Sequence, residues 1–418
     1  MFVSLICCVL MGLISCSSDN NPITGPITIT DDDPVIITDD EVPTSNFVPC
    51  ENGMVNDYPC NGFDLVGQIT LPQFSASSAN DIWGWTDTVS GNEYALIGLN
   101  NGTAFVDITD GENLVYLGKL PTATGSSTWR DIKIYQDFAF IVSEASGHGM
   151  QVFDLSKLRN VSNPPQEFSA DTRYTGIGNA HNVVINENSG FAYPVGTARV
   201  DAFGGGVHFI DIQDPLNPLG VGGYGANGYT HDAQVITYSG PDTDYSGKEI
   251  FIGSNEDQIA IVDITDKGNP VEIAALNYSN LGYTHQGWFT EDQRYFLLGD
   301  ELDEIQFGFD SRTLVFDLQD LDSPVLHTSY SGPTAAIDHN GYVLGDEFYL
   351  ANYTAGVRLL DISDIENRNI SEIAFFDTYP TDDNASFNGV WSVYPYFSSG
   401  KILVSDINSG LIVIQKSN

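Results

Sequence analysis

From about residue 63 the chain repeats one pattern: an apolar run, a polar turn containing glycine, then a second apolar run that ends in aspartate. The second run reads TAFVDITD (103–110), MQVFDLSK (150–157), VHFIDIQD (207–214), IAIVDITD (259–266), TLVFDLQD (313–320), VRLLDISD (357–364) and LIVIQKSN (411–418). Each run is short, β-branched or aromatic, and bounded by turn residues, which predicts strands. The run before it is also strand-like, as in EYALIGL (93–99), KEIFIGS (248–254) and RYFLLGD (294–300). A further strand opened by a polar dyad precedes that one. Phrases such as LVYLGKLP (114–121) and NPVEIAAL (269–276) supply a fourth after the aspartate.

Four strands recurring about every 50 residues predict the blades of a β-propeller. The chain ends right after the third strand of its seventh unit, while an unassigned strand, DLVGQITLP (64–72), precedes the first unit. If that strand completes the last blade, the ring closes and no strand edge is left open. The expectation is therefore all-β: a single seven-bladed propeller over 63–418, with its N-terminal strand completing blade 7.

Longer phrases carry a resemblance. NDIWGWTD (80–87), WRDIKIY (129–135), YTHDAQ (229–234), YTHQGW (283–288) and IDHNGY (337–342), with the VDITD repeats, resemble the LVIVD-repeat bacterial family called choice-of-anchor B. The resemblance implies the propeller fold and attachment at the cell surface, and gives little chemistry.

The N-terminal residues add to this picture. Residues 1–16, MFVSLICCVLMGLISC, form an apolar run too short to span a bilayer, followed by polar SSDNN. This looks like a lipoprotein signal with Cys16 as the lipidated residue, although the usual basic residues at its start are missing. Residues 17–46, rich in Pro, Thr and Asp, read as an acidic, solvated tether. Residues 47–62 form a small loop whose Cys50 and Cys60 are the only thiols beyond Cys16, so a disulfide is expected there. The expected location is the envelope of a Gram-negative bacterium, at the outer membrane or cell surface, with the lipid as the sole membrane contact.

The formal net charge is −41, from 56 acidic against 15 basic residues. Such a field repels nucleic acid and anionic lipid, which removes both as partners. It favours solubility or the attraction of cations, and leaves protein, peptide or glycan ligands open.

The tetrapeptide GYTH occurs twice, at 228–231 and 282–285. Aligning the first strands shows why: the dyads Asn80-Asp81, Arg130-Asp131, His181-Asn182, His231-Asp232, His285-Gln286, His339-Asn340 and Asn388-Gly389 recur at intervals of 49 to 54 residues. First strands line the channel of a propeller, so the dyads should ring one of its mouths together with the ends of the second strands. His181, His231, His285 and His339 are candidate metal ligands, since imidazole suits iron, copper and zinc. Calcium is the alternative cofactor, and blade-to-blade hydrogen bonding or direct binding of an organic ligand are the alternative uses of the histidines. Asp81, Arg130, Asp131, Glu144, Asp232 and Asn340 are candidate ligand-binding residues. Glu256, Asp300 and Glu301 are the candidate acid–base groups if the protein is an enzyme. The repeated Asp107, Asp154, Asp211, Asp263, Asp317 and Asp361 are expected to tie down turns. Trp83, Trp85, Trp129 and Trp391 are expected to pack between blades or to form an aromatic lip.

Other motifs are weak. Residues 223–228 fit GxGxxG but run into a strand pattern, so no dinucleotide site is expected. PDTDYSGKE (241–249) spaces its carboxylates like a calcium loop without the full pattern. No Walker loop, HExxH, CxxC or GxSxG is present. The expected function is a binding module on the propeller face, with a four-histidine metalloenzyme as the alternative.

Overall fold

A computed structural model describes residues 46–417 of the chain. The leader to residue 16, the lipidation site Cys16 and nearly all of the tether lie outside the described residues.

Seven sheets follow one another along the chain, and each is built as an antiparallel meander from the channel outward. Their first strands are Ala79–Thr86, Arg130–Tyr135, Asn182–Asn186, Asp232–Thr237, Thr284–Phe289, Gly341–Leu344 and Val390–Tyr394. Each packs against the first strands on either side, and the seventh packs against the first, which closes a ring. The protein is a seven-bladed propeller.

The continuous apolar runs have a simple cause. Second and third strands are covered on both faces by the neighbouring blades, so Glu93–Leu99 is buried at every position. Outermost strands such as Leu219–Tyr224 meet solvent, and no residue of that strand is fully buried. The core is accordingly seven layers between blades: Leu96 and Phe105 of blade 1 pack on Ile141 and Phe153 of blade 2, with Phe105 and Phe153 stacked at 4.7 Å. Ile250 and Ile252 of blade 4 meet Phe296 and Leu298 of blade 5 in the same way.

The expected closure is present. Phe63–Ile69 pairs antiparallel with Gly410–Lys416, so the first long strand among the described residues is the outer strand of the last blade. The segment just before it covers a second edge: the hairpin of Met54–Val55 and Tyr58–Asn61 pairs through Cys60 and Asn61 with Phe376 and Phe375 of blade 6. The Cys50–Cys60 disulfide closes this hairpin. Gln166–Glu167 adds in parallel to the outer strand of blade 1.

Each repeated aspartate holds the same turn; five end their strands, and Asp361 lies within Val357–Asp364. The carboxylates of Asp107, Asp154, Asp211, Asp263, Asp317 and Asp361 each accept the backbone N–H two residues on, from Thr109, Ser156, Gln213, Thr265, Gln319 and Ser363 at 2.9 to 3.0 Å. Just before this turn the fourth strand gains one residue against the third in blades 1, 3, 4, 5 and 6. Blade 7 has the same irregularity at Val66.

Candidate functional site

The histidines stand where the chain enters blades 3 to 6. The backbone N–H groups of His181, His231 and His339 donate to Val195, Ser254 and Ala351 at the ends of the adjacent second strands. That fixes the backbone and turns the side chains toward the axis. Gly196 makes room for the first: a Cβ there would stand 2.4 Å from the Cβ of His181, and its φ of +63° already favours glycine. The second GYTH is held differently. The carboxylate of Asp300 accepts the N–H groups of Gly282 and Tyr283 at 2.8 and 2.7 Å and the Tyr278 hydroxyl at 2.9 Å.

The four imidazoles converge as an arc. Ring centroids are 4.0 Å apart between His181 and His231, 4.5 Å between His231 and His285, and 4.3 Å between His285 and His339. They face one another, and the two at the ends of the arc also bond to the neighbouring blades. Two are oriented by the scaffold through one nitrogen: His181 Nδ1 lies 2.6 Å from Glu144 Oε1, and His339 Nδ1 donates to the Trp391 carbonyl at 2.5 Å. The second contact leaves the Nε2 lone pair of His339 unprotonated, facing Glu301 Oε1 at 3.6 Å. Glu301 Oε2 lies 3.7 Å from His285 Nε2, and the Tyr353 hydroxyl donates to Oε1 at 2.9 Å. The Nδ1 atoms of His231 and His285 are buried without a partner.

Burial sets the protonation. It pushes His285 and His339 down to about 3, with a neighbouring imidazole adding to the effect in each case. His231 is pushed well below the ordinary range by burial and then by His181. For His181 burial works in the same direction, but the hydrogen bond and charge of Glu144 outweigh it and raise the group. The arc is thus three neutral imidazoles beside one held toward the imidazolium form. His231, His285 and Glu301 present ligand atoms that all lie within 4.8 Å of one another.

Beneath the arc lies a carboxylate tier. Lys133 Nζ stands 2.7 Å from Asp131 Oδ1 and 3.4 Å from Asp81 Oδ2, and all three side chains are nearly inaccessible. Asp232 accepts from Asn182 Nδ2 at 2.8 Å and is pushed up to about 7 by burial and by Asp131. Arg130 is 1% exposed; its Nε donates to the Leu99 carbonyl and its Nη1 meets His148 Nε2 at 3.1 Å. Asn340 is buried beside this tier, with its side-chain oxygen unpartnered.

Above the arc opens a cavity of about 340 Å³, lined by the four histidines, Glu301, Tyr353, Trp129, Trp391 and Phe387 among others. The remaining sequence candidates lie elsewhere. Glu256 pairs with Arg199 Nη2 at 2.6 Å at the rim, and Asp300 is fully buried in backbone support. Trp85 stacks on Tyr94 and donates to Asp137 between blades 1 and 2. Trp83 packs on Tyr342 and Tyr394 lower in the channel, under Lys133 Nζ at 4.5 Å. Residues 223–228 lead into no helix. In the calcium-like loop, Asp242 caps the turn Thr243–Tyr245 and meets Asp320 and Asp322 on the surface.

Sequence reasoning missed Lys133, Tyr353 and His148. Lys133 had a signal: it follows Asp131 by two, which in a strand places both on one side.

Fold and site together define a propeller with an imidazole and carboxylate cluster at one mouth of its axis. No family model and no curated protein sequence matches the chain. Among solved structures, a chain of Kuenenia stuttgartiensis hydrazine synthase is similar, with a TM-score of 0.54 at 11% identity over 78% of this chain and 92% of that one. That likeness is one of fold.

Proposed function

We propose that this protein is a ligand-binding propeller of the cell envelope, similar to the choice-of-anchor B proteins, whose axial site holds a transition-metal ion. His231, His285 and Glu301 are its ligands, with His339 beside them and His181 and Tyr353 orienting the carboxylates Glu144 and Glu301. The observation that carries this reading is the meeting of three ligand groups within 4.8 Å of one another, at a place where the Nδ1 atoms of His231 and His285 are also buried without a partner. Unprotonated imidazole is the form that ligates, and burial keeps His231 and His285 in it. Two histidines and one carboxylate suit iron, copper or zinc and leave coordination positions open to a ligand. Such an ion supplies Lewis acidity to whatever occupies the cavity. The protein's own part is to orient the imidazoles and to hold Glu301 through Tyr353.

The test is metal analysis of the purified chain after exposure to Fe(II), Zn(II) or Cu(II). One equivalent per chain is expected, and a His231→Ala, His285→Ala double variant should lose it while keeping the strand signal in circular dichroism. A wild-type chain that stays metal-free sinks the reading.

The envelope location is supported by the apolar run that ends at Cys16 and by the acidic tether after it. Membrane fractions should retain the wild-type protein and release a Cys16→Ser variant; release of both would overturn the anchor.

A further inference from the structure

The cavity has two unlike walls. Four imidazoles and Glu301 line one side, from blades 3 to 6. The other side is aromatic: Trp129 opens blade 2, while Phe387 and Trp391 flank the entry to blade 7. Trp129 is 43% exposed and Phe387 48% exposed, a high solvent cost for large apolar rings. Phe387 touches Tyr353 at 5.5 Å and Trp391 touches His339 at 4.9 Å. Trp129 meets no other ring or cation among the described residues. It lines the cavity with part of its side chain exposed.

We propose that the cavity takes a small planar aromatic molecule bearing an oxygen donor, a phenol or catechol, with its ring against Trp129 and Trp391 and its oxygen toward His231, His285 and Glu301. This rests on the metal reading above for the oxygen end and on the indoles alone for the ring. A volume of about 340 Å³ lies at the small end of ligand pockets, room for one ring system and its substituents. A sugar would also stack on tryptophan, but its hydroxyls need polar partners on several sides. Away from the imidazoles and Glu301, the wall offers the hydroxyls of Thr128 and of Tyr353, the latter already donated to Glu301, beside Phe387, Ile407 and the indoles. Polarity concentrated at one end and ring surface at the other match a phenol.

The test compares catechol with trans-cyclohexane-1,2-diol, which carries the same two oxygens on a non-planar ring. Titrations of the Zn(II)-loaded chain are followed by calorimetry and indole fluorescence. Catechol should bind at least about tenfold more tightly than the diol, since aromatic pairing adds selectivity of that order. Trp129→Ala should remove most of that preference while the zinc content stays at the wild-type level; the exposure of Trp129 makes the variant safe for folding. Equal affinity for the two probes, or an unchanged preference in Trp129→Ala, overturns the proposal. If the chain takes up no zinc, the same titration is run on the metal-free protein. A surviving preference for catechol then upholds the ring site while the metal reading falls, and its absence overturns the ring site as well.

Discussion

Asp300 and Glu301 are neighbours in the chain with separate fates. Asp300 ends the strand Tyr295–Asp300 and turns inward, where its two oxygens hold the backbone of Gly282, Tyr283 and Leu302. Glu301 turns toward the axis and stands between His285 and His339. Both were legible as carboxylates at the mouth, but which of the two would reach the ligand depends on where each side chain points at a strand end. Sequence spacing does not carry that direction. The same holds for the dyads: the first members of four of them form the imidazole arc, while Asp81, Asp131 and Asp232 gather in the tier with Lys133. The role of Asp300 has a consequence for stability. Replacing it by alanine leaves three N–H groups and the Tyr278 hydroxyl without their acceptor, and hydrogen bonds to a charged group contribute about 1.5–3 kcal/mol each before relaxation. Asp300→Ala should lower unfolding free energy by roughly 3 kcal/mol in urea titrations and weaken metal uptake by loosening the segment that carries His285. A loss under about 1 kcal/mol would show that the turn stands without it.

At the scale of elements, the strands were readable because a propeller asks the same thing of each blade. Second and third strands are sandwiched, so they appear as unbroken apolar runs; the aspartate after the third strand is needed because a tight turn there leaves an N–H two residues on to be satisfied. Both signals are local and repeat, which is why Glu93–Leu99 and Glu249–Ser254 lie where the pattern put them. Fourth strands were less legible. In blade 2 the outer strand is only Thr172–Tyr174, while Gln166–Glu167 crosses to the edge of blade 1. The extra residue that recurs in fourth strands, such as Leu117 between Tyr116 and Gly118, has no compositional mark, because a bulge is a matter of register between two strands and not of either alone.

At the scale of the molecule, the ring depends on a strand taken from the other end of the chain. Phe63, Leu65, Val66 and Ile69 are all buried in the closing strand, and at about 1.5–3 kcal/mol per buried side chain they contribute on the order of 8 kcal/mol, an upper figure. A chain lacking residues 46–72 should therefore be recovered largely as aggregate, or should melt well below the intact protein, because Gly410–Lys416 becomes an open edge. Light scattering and thermal melts decide between these and an unchanged midpoint, which would show that closure adds little.

That closing strand also imposes an order in time. Residues 46–72 leave the ribosome before any blade exists, yet the strands they join, Asn369–Phe376 and Gly410–Lys416, belong to the last two blades made. Blades 1 to 5 can assemble on one another as they appear. Residues 46–72 must wait, unpaired, until synthesis of the domain is all but over, and folding finishes at a strand made before its first blade.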